Sequence, residues 1–174
     1  MKVVIFCGGM GIRMGEATQR IPKPMIRVGT QPILWHIMKW YASWGHRDFI
    51  LCLGYRAEVV KDYFLHYEEA LANDFVLDGR DVQLLSSDMD GWRITFLDTG
   101  MRATIGERLK AAEEHVGDDE LFLANYGDGL TDAPLDEMVT ALADSGKTGL
   151  FISVRPSLTY HRGRPTGCGE KHYG

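Results

Sequence analysis

The sequence contains few cysteines and no long apolar segment. Its three cysteines are Cys7, Cys52 and Cys168, and no two of them have C-x-x-C spacing. This pattern argues against a disulfide framework and against a cysteine-ligated zinc site. The apolar run at residues 3–7 is too short for a signal peptide, and no stretch approaches the length that spans a membrane. We therefore expect a soluble, cytoplasmic protein without a membrane partner.

An excess of positive charge is also absent. The chain carries 19 Lys and Arg residues against 24 Asp and Glu residues, a formal net charge of -5 at pH 7. Proteins that bind nucleic acid usually do so through basic surfaces, so nucleic acid is not expected as a partner. A polyphosphate ligand would have to be held by a few local cations and by backbone amides. With 174 residues, the chain has the size of one ordinary domain.

Strand and helix patterns alternate along the chain. Uninterrupted apolar runs and β-branched residues predict strands at 2–7, 48–54, 82–87, 92–100, 121–125 and 148–154. Periodic apolar positions with proline or glycine at the ends predict helices at 31–45, 57–67, 105–117 and 134–146. Residues 68–81 are interpreted as a loop. The alternation predicts a Rossmann-like α/β fold, a mostly parallel sheet with helices on both faces.

The alternation stops near residue 157. Residues 158–174 combine glycine and basic residues without an apolar period, so we expect an irregular tail there. Residues 1–157 are expected to form one domain.

A glycine-rich segment, FCGGMGIRMGEATQRIPKPM at residues 6–25, follows the first predicted strand. It lacks the third glycine of a dinucleotide-binding fingerprint, and no lysine follows its glycines as in a Walker A loop. A tight turn without a ligand is one interpretation. The other is a phosphate-binding loop, in which Gly8, Gly9 and Gly11 let the backbone approach a ligand and direct N–H groups at it.

Two cations in the same segment favour the phosphate-binding interpretation. Arg13 offers a bidentate fork for phosphoryl oxygens, and Lys23 offers a compact positive charge. Pro22 and Pro24 restrict the backbone on both sides of Lys23.

An acidic residue follows another predicted strand. Asp128 lies in YGDGL, directly after the strand at 121–125. Ligands of open α/β sheets bind beyond the carboxyl ends of the strands, so Asp128 and the glycine-rich loop should face one crevice. A single carboxylate there suits Mg²⁺, which takes its other ligands from phosphates and water. The alternative is that Asp128 is a simple turn residue between two glycines.

Together these motifs resemble the signature of the sugar-1-phosphate nucleotidyltransferases, G-G-x-G-T-R-L with P-K-P further along the chain. The segments PILWHIMKWY, DFILCLGY, WRITFLDTG, GERLKA and YGDGLTD resemble most closely the glucose-1-phosphate cytidylyltransferase branch. The resemblance covers roughly residues 1–157. Ile12 is a departure, because the family often has threonine there; a backbone contact would survive this change, whereas a hydroxyl contact would not.

The resemblance implies transfer of a nucleotidyl group from a nucleoside triphosphate to a sugar 1-phosphate, with release of pyrophosphate. CTP and glucose 1-phosphate are the favoured substrates; thymidylyl, uridylyl and guanylyl transfer remain alternatives. It also implies a homo-oligomer and Mg²⁺ bound by Asp128. The implied catalytic residues are Arg13, Lys23 and Asp128. The implied nucleotide-binding residues are Gly8, Gly9, Gly11, Ile12, Arg13, Lys23, Thr104, Gly106 and Arg108.

The segment before the helix at 105–117 departs from the family pattern. The family commonly shows Thr-Gly-Gly-Arg there, whereas this chain reads Ile105-Gly106-Glu107-Arg108. Glu107 puts the choice of base in doubt. Alternatively, Glu107 simply favours the first turn of the helix.

Two features of the family do not occur in this sequence: the Glu-Lys-Pro segment that contacts the sugar phosphate, and a second metal-binding aspartate nearer the C-terminus. We therefore expect a truncated or frame-shifted product. An inactive nucleotide-binding module that relies on a partner is the first alternative to an active transferase. A dinucleotide-dependent oxidoreductase is the second, and the incomplete fingerprint argues against it.

Overall fold

Residues 1–9 and 21–153 are described by the structure, a computed structural model of the chain. The contacts divide the chain into two units, Met1–Leu130 and Thr131–Gly174. The expected boundary at residue 157 and the expected tail at 158–174 lie outside the described residues and stay predictions.

The first unit contains all the described strands. They are β1 (Lys2–Phe6), β2 (Arg27–Val28), β3 (Gln31–Pro32), β4 (Asp48–Leu53), β5 (Phe75–Asp78), β6 (Asp81–Leu84), β7 (Arg93–Asp98) and β8 (Leu123–Tyr126). Its helices are α1 (Ile33–Ser43), α2 (Ala57–Leu65), α3 (Glu69–Ala72) and α4 (Ile105–Val116), with a short 3-10 turn at Lys23–Met25.

A four-stranded sheet forms the centre of this unit, with the strand order β7-β4-β1-β8. Every neighbouring pair is parallel, and Val4 of β1 lies opposite Ile50 of β4 and Ala124 of β8. The predicted Rossmann-like α/β fold is confirmed. Because the strands are parallel, their carboxyl ends lie at one edge of the sheet.

The two central strands, β1 and β4, are apolar along most of their length because both faces of the sheet are covered. On one face, Val4, Ile50 and Cys52 pack with Ala112 and Val116 of α4. Alternate side chains of these strands point to the opposite face and are also buried. There the ring of Trp92 lies between Phe49 and Trp35 of α1, with centroids 5.1 and 6.4 Å away.

The prediction of a loop at 68–81 is wrong. This stretch contains α3 and β5, and β5 pairs antiparallel with β6 in a separate two-stranded sheet. The two strands are joined by Gly79 and Arg80, and Gly79 has a φ of +64°. Asp-Gly between two short apolar runs favours such a hairpin, but the run at 75–77 is brief enough to be mistaken for loop.

The second unit contains one described helix, α5 (Leu135–Ser145), which ends at Gly146 in the left-handed conformation. The strand predicted at 148–154 is wrong over 148–153, which the structure shows without regular structure. A strand is stable only where a neighbour accepts its backbone hydrogen bonds, and an apolar run does not supply that neighbour. None of the helices described in either unit combines the length and the apolar composition of a membrane-spanning segment.

Candidate functional site

The residues predicted to form a site follow the carboxyl ends of the central strands. Gly8 and Gly9 follow β1, and Asp128 follows β8, which pairs directly with β1. Gly54 and Thr99 follow β4 and β7 at the same edge. The structure thus brings together loops that lie far apart in the sequence, as expected for ligand binding in a parallel sheet.

Lys23 and Asp128 form an ion pair at this edge. The Nζ atom of Lys23 lies 3.5 Å from Oδ2 of Asp128, and both side chains are partly exposed. An exposed pair at this distance contributes little to stability, typically about 0–1 kcal/mol. Its importance is that two predicted site residues, one cationic and one anionic, share one place accessible to solvent.

The position of Lys23 is set by the short turn that it begins. Pro22 precedes the turn with a φ of -66°, and the Met25 N–H donates to the Pro22 carbonyl at 2.8 Å. Pro22, Pro24 and Met25 are buried, whereas Lys23 is only partly buried. The two prolines thus anchor the segment in the fold and leave the ammonium group free to reach the strand ends.

Gly127 allows this turn to pack against the loop that carries Asp128. A Cβ atom at Gly127 would lie 2.9 Å from Sγ of Cys7 and 2.9 Å from Cγ of Pro24, closer than real Cβ contacts. The Gly127 N–H donates to the Phe6 carbonyl at 3.0 Å. The absence of a side chain at this position therefore permits Lys23 and Asp128 to meet.

Asn125 holds the same loop in place through two hydrogen bonds. Its Nδ2 atom donates to the Gly129 carbonyl at 3.1 Å, and its Oδ1 atom accepts from the Tyr126 N–H at 2.8 Å. Burial raises the pKa of Tyr41 to about 12, and a hydrogen bond with Asn125 opposes this shift. Asn125 thus links α1 to the loop that positions Asp128.

Of the glycine-rich loop, the structure describes Gly8 and Gly9. Gly8 is buried, and its carbonyl accepts hydrogen bonds from Arg108 and from the Tyr55 N–H. Gly9 is exposed, and a Cβ atom added there would meet no atom of the described residues within 4 Å, apart from its chain neighbours. Gly11, Ile12 and Arg13 lie outside the described residues, so their predicted roles stay predictions.

Arg108 lies in the first turn of α4 and is 3% exposed. Its Nη1 atom donates to the Leu53 carbonyl at 2.9 Å and to the hydroxyl of Thr99, and its Nη2 atom donates to the Gly8 carbonyl at 3.2 Å. The guanidinium group is therefore bound to protein oxygens. The contact between Arg108 and a nucleotide that the resemblance implies stays a prediction.

Thr104 and Glu107 form a capping box at the start of α4. Oε2 of Glu107 accepts from the Thr104 N–H at 2.7 Å, and Oγ1 of Thr104 accepts from the Glu107 N–H at 3.3 Å. The hydrogen bonds from Thr104 lower the pKa of the Glu107 carboxyl. This geometry gives Glu107 a local structural role. Gly106 is exposed in the same turn.

The two described cysteines are buried and unpaired. Burial raises the pKa of the Cys7 thiol far above its usual range. Burial also raises the pKa of Cys52 to about 11, against the opposing charge of Arg108. Both thiols are therefore neutral near pH 7, and neither is suited to act as a nucleophile.

Among the described residues, no group of three or more His, Cys, Asp or Glu side chains converges as a metal cage would. Asp128 offers a single, partly exposed carboxylate. Such a carboxylate fits Mg²⁺, which binds through one or two carboxylates and completes its shell with phosphate oxygens and water. It does not fit a structural zinc site, which needs four protein ligands.

Several residues of the site were not found from the sequence. Three features depend on contacts between distant segments: the hydrogen bond of Asn125 with Tyr41, the crowded position of Gly127 and the carbonyl groups around Arg108. Gly127 alone carried a signal, because a glycine within or next to a strand pattern often marks a close approach of the backbone.

Residues 2–159 match the family described as "Nucleotidyl transferase" (NTP_transferase). The chain belongs to this family. It is 46% identical over 156 residues to the "Probable glucose-1-phosphate cytidylyltransferase" of Bacillus subtilis (strain 168), covering 88% of this chain and 60% of that protein. It is 39% identical over 157 residues to the "Glucose-1-phosphate cytidylyltransferase" of Salmonella typhimurium, covering 90% of this chain and 61% of that protein. This member of the family thus spans about three fifths of the length of these curated relatives.

Solved structures support the same fold. The crystal structure of HddC from Yersinia pseudotuberculosis complexed with GMP-PN superposes with a TM-score of 0.60, at 21% identity, covering 82% of this chain and 54% of HddC. The expected family, and its α/β fold, are confirmed.

Proposed function

We propose that this chain forms the nucleotide-binding part of a sugar-1-phosphate nucleotidyltransferase that prefers CTP and glucose 1-phosphate. The observation that carries the proposal is the meeting of Lys23 and Asp128 at the strand ends, at the same edge of the sheet as the exposed Gly9. The two curated relatives reported above, one named as a glucose-1-phosphate cytidylyltransferase and one as a probable one, support the choice of base and sugar.

The proposed reaction needs few protein groups that react covalently. An oxygen of the sugar 1-phosphate attacks the α-phosphorus of CTP, a new P–O bond forms, and the bond from the α-phosphorus to the bridging β-phosphate oxygen breaks. Pyrophosphate leaves with the bonding electron pair. Because the attacking oxygen is already anionic, no general base is required, and neutral thiols such as those of Cys7 and Cys52 have no part in the step. Catalysis then depends on positioning and on stabilising charge.

The described residues fit these tasks. The Lys23 ammonium would bind phosphoryl oxygens and stabilise the charge that develops as pyrophosphate departs. The Gly9 N–H would donate to the triphosphate. Asp128 would hold the Mg²⁺ ion, which when bound would neutralise phosphate charge. The Lys23–Asp128 pair keeps both groups close together before the substrate arrives.

Nucleotide binding is tested by calorimetry of the purified chain with CTP, UTP, GTP, dTTP and ATP, with and without Mg²⁺. We expect Mg²⁺-dependent heat that is largest with CTP. Asp128→Asn should remove the dependence on Mg²⁺. Asp132→Asn is the control, because it changes an exposed carboxyl a few residues further along the chain. Absence of heat with every triphosphate would contradict the proposal for this chain.

Transfer is tested by release of pyrophosphate from CTP with glucose 1-phosphate. Removing a donor aimed at developing charge typically costs about 10²–10³ in rate, so in a version extended to the length of the curated relatives Lys23→Ala should reduce kcat by that factor with little change in melting temperature. Turnover by Lys23→Ala close to wild type would remove Lys23 from the mechanism. Nucleotide binding without pyrophosphate release would favour the alternative, a binding module that does not complete the reaction alone.

A cytoplasmic location and a homo-oligomeric state belong to the same proposal. Nucleoside triphosphates and sugar phosphates are made in the cytoplasm, which supports the first. The exposed apolar side chains of the hairpin formed by β5 and β6 support the second.

A further inference from the structure

Arg108 differs from every other charged residue that the structure describes, because the fold buries it almost completely. It is 3% exposed, and no other Lys, Arg, Asp or Glu in residues 1–9 and 21–153 is buried. Its hydrogen bonds run to uncharged oxygens, the carbonyls of Gly8 and Leu53 and the hydroxyl of Thr99. Burying a charge is unfavourable, and a well-packed apolar side chain would often stabilise a fold as well. The position therefore calls for a role besides packing.

The three acceptors come from three different segments at the functional edge of the sheet. Gly8 follows β1, Leu53 ends β4, and Thr99 follows β7. The planar guanidinium group is suited to this position, because its donors point in fixed directions and can bind several oxygens at once. A lysine ammonium has no such planar fork.

Two glycines leave room for the guanidinium group. A Cβ atom at Gly8 would lie 2.0 Å from Nη1 of Arg108, and a Cβ atom at Gly54 would lie 3.0 Å from the same nitrogen. The guanidinium group thus occupies the space that a side chain at Gly8 would fill. This close packing holds the Gly8 backbone against a fixed group.

The hydrogen bond to Gly8 sets the direction of the next amide. The Gly8 carbonyl accepts from Nη2 of Arg108 at 3.2 Å and from the Tyr55 N–H at 3.4 Å. In a planar trans peptide, the N–H group points opposite to the C=O group, and none of the described peptide bonds is cis. Because the Gly8 carbonyl points to Arg108, the Gly9 N–H points away from it. Gly9 is exposed, and among the residues that the structure describes none accepts a hydrogen bond from its N–H.

We propose that Arg108 is a positioning residue of the nucleotide site, which holds the Gly8–Gly9 peptide so that the Gly9 N–H faces the triphosphate. The inference rests on the proposed function and deepens it, since it assigns Arg108 to the phosphates through the backbone. A direct contact of Arg108 with the base would have to use its two remaining N–H groups, on Nε and Nη2, although the side chain is 3% exposed.

The two roles predict different patterns of affinity. We compare CTP, UTP and inorganic tripolyphosphate, each with Mg²⁺, for the wild-type chain, Arg108→Met and the control Arg102→Met, which changes an exposed arginine. If Arg108 positions the loop, Arg108→Met should weaken all three ligands by a similar factor of about 10–100, the size of a charge-assisted hydrogen bond. Arg102→Met should leave the affinities for all three ligands unchanged. A loss confined to CTP, with tripolyphosphate unaffected, would overturn the proposal in favour of a base contact.

A second, milder variant is included in case Arg108→Met does not fold. Thr99→Val removes one acceptor of Arg108 and keeps the shape of the side chain, so we expect the same pattern with a smaller factor and a small change in melting temperature. NMR of the wild-type chain gives a second measure. The guanidinium protons of Arg108 should exchange slowly with water and remain slow after tripolyphosphate or CTP is added; fast exchange, or release of the group by CTP, would overturn the proposal.

Failure of the proposed function is distinguishable from failure of this inference. If the wild-type chain binds no triphosphate, the function fails in this chain, and the ¹⁵N relaxation of the Gly9 amide then decides the inference. Increased fast motion of Gly9 in Thr99→Val, but not in Arg102→Met, would support positioning by Arg108. Unchanged motion of Gly9 would overturn it.

Discussion

At the scale of single residues, the site depends on the space that glycines leave for neighbouring segments as much as on its charged groups. Lys23 and Asp128 would supply the chemistry, but each is carried on a loop whose path is fixed by close packing. Gly127 is the clearest case, because its missing side chain lets Pro24 and Cys7 approach the loop after β8. A change that adds a single methyl group there should separate the charged pair without touching either charge.

Gly127→Ala tests this directly. The added Cβ would lie 2.9 Å from Sγ of Cys7 and from Cγ of Pro24, so we expect a loss of stability of about 1–3 kcal/mol from overpacking. This exceeds the gain of about 0.4–1 kcal/mol that alanine brings by restricting the unfolded chain. Binding of Mg²⁺ and CTP should weaken as well, because Pro24 adjoins Lys23.

Gly129→Ala is the matched control in the same loop. Its nearest neighbour outside the chain neighbours, Oδ1 of Asn125, would lie at an ordinary 3.5 Å from the new Cβ. We expect stability equal to wild type or slightly higher, and unchanged affinity for CTP. Chemical denaturation and calorimetry provide both measurements, and equal behaviour of the two variants would show that the packing at Gly127 does not position the site.

At the scale of elements, α4 begins with a cap that depends on pH. Glu107 accepts two hydrogen bonds from Thr104, and these lower the pKa of its carboxyl below the ordinary value of 4.5. A lowered pKa in the folded state means that the carboxylate stabilises the fold above the ordinary pKa. This contribution is lost as the pH falls through the pKa of the folded state.

We therefore expect Glu107→Ala to lower the melting temperature at pH 7, and the difference from wild type to shrink as the pH falls below 4.5. Glu114→Ala makes the same chemical change at an exposed position later in α4. The melting temperature of Glu114→Ala should differ little from that of wild type, and this difference should vary less with pH. Thermal denaturation across this range is the measurement, and a Glu107→Ala difference that stays constant with pH would argue against the capping carboxylate.

The sequence correctly predicts those helices and strands that are long enough to show a clear apolar pattern. β1 and β4 are five- and six-residue apolar strands, and the loops after β1 and β8 were expected at one edge of the sheet because parallel strands share that edge. The short β5 was missed, and the strand at 148–153 was wrongly predicted, because pairing partners are not visible in a local pattern. Arg108 shows the same limit within the site. Its position in a helix was predictable, whereas its burial against carbonyl groups of three segments was not.

At the scale of the whole molecule, the hairpin of β5 and β6 exposes an apolar face. Phe75 lies opposite Leu84 and Leu77 lies opposite Val82, so the four side chains share one face of the hairpin. Each is at least 41% exposed, and Leu77 reaches 61%. Clustered apolar side chains on a short exposed sheet favour association with another chain, since burial of that surface is favourable.

We expect the chain to self-associate through this face in a concentration-dependent manner. Leu77→Lys places a charge at its centre and should shift the chain toward monomer in sedimentation velocity. Val76→Lys is the control, because Val76 lies on the opposite face of the same strand, opposite Gln83, and is 46% exposed. Both variants add the same charge to the same strand, so a general effect of net charge would change the self-association of both equally. A wild-type chain that stays monomeric at high micromolar concentration would contradict the prediction, and an equal shift in both variants would show that association does not use this face.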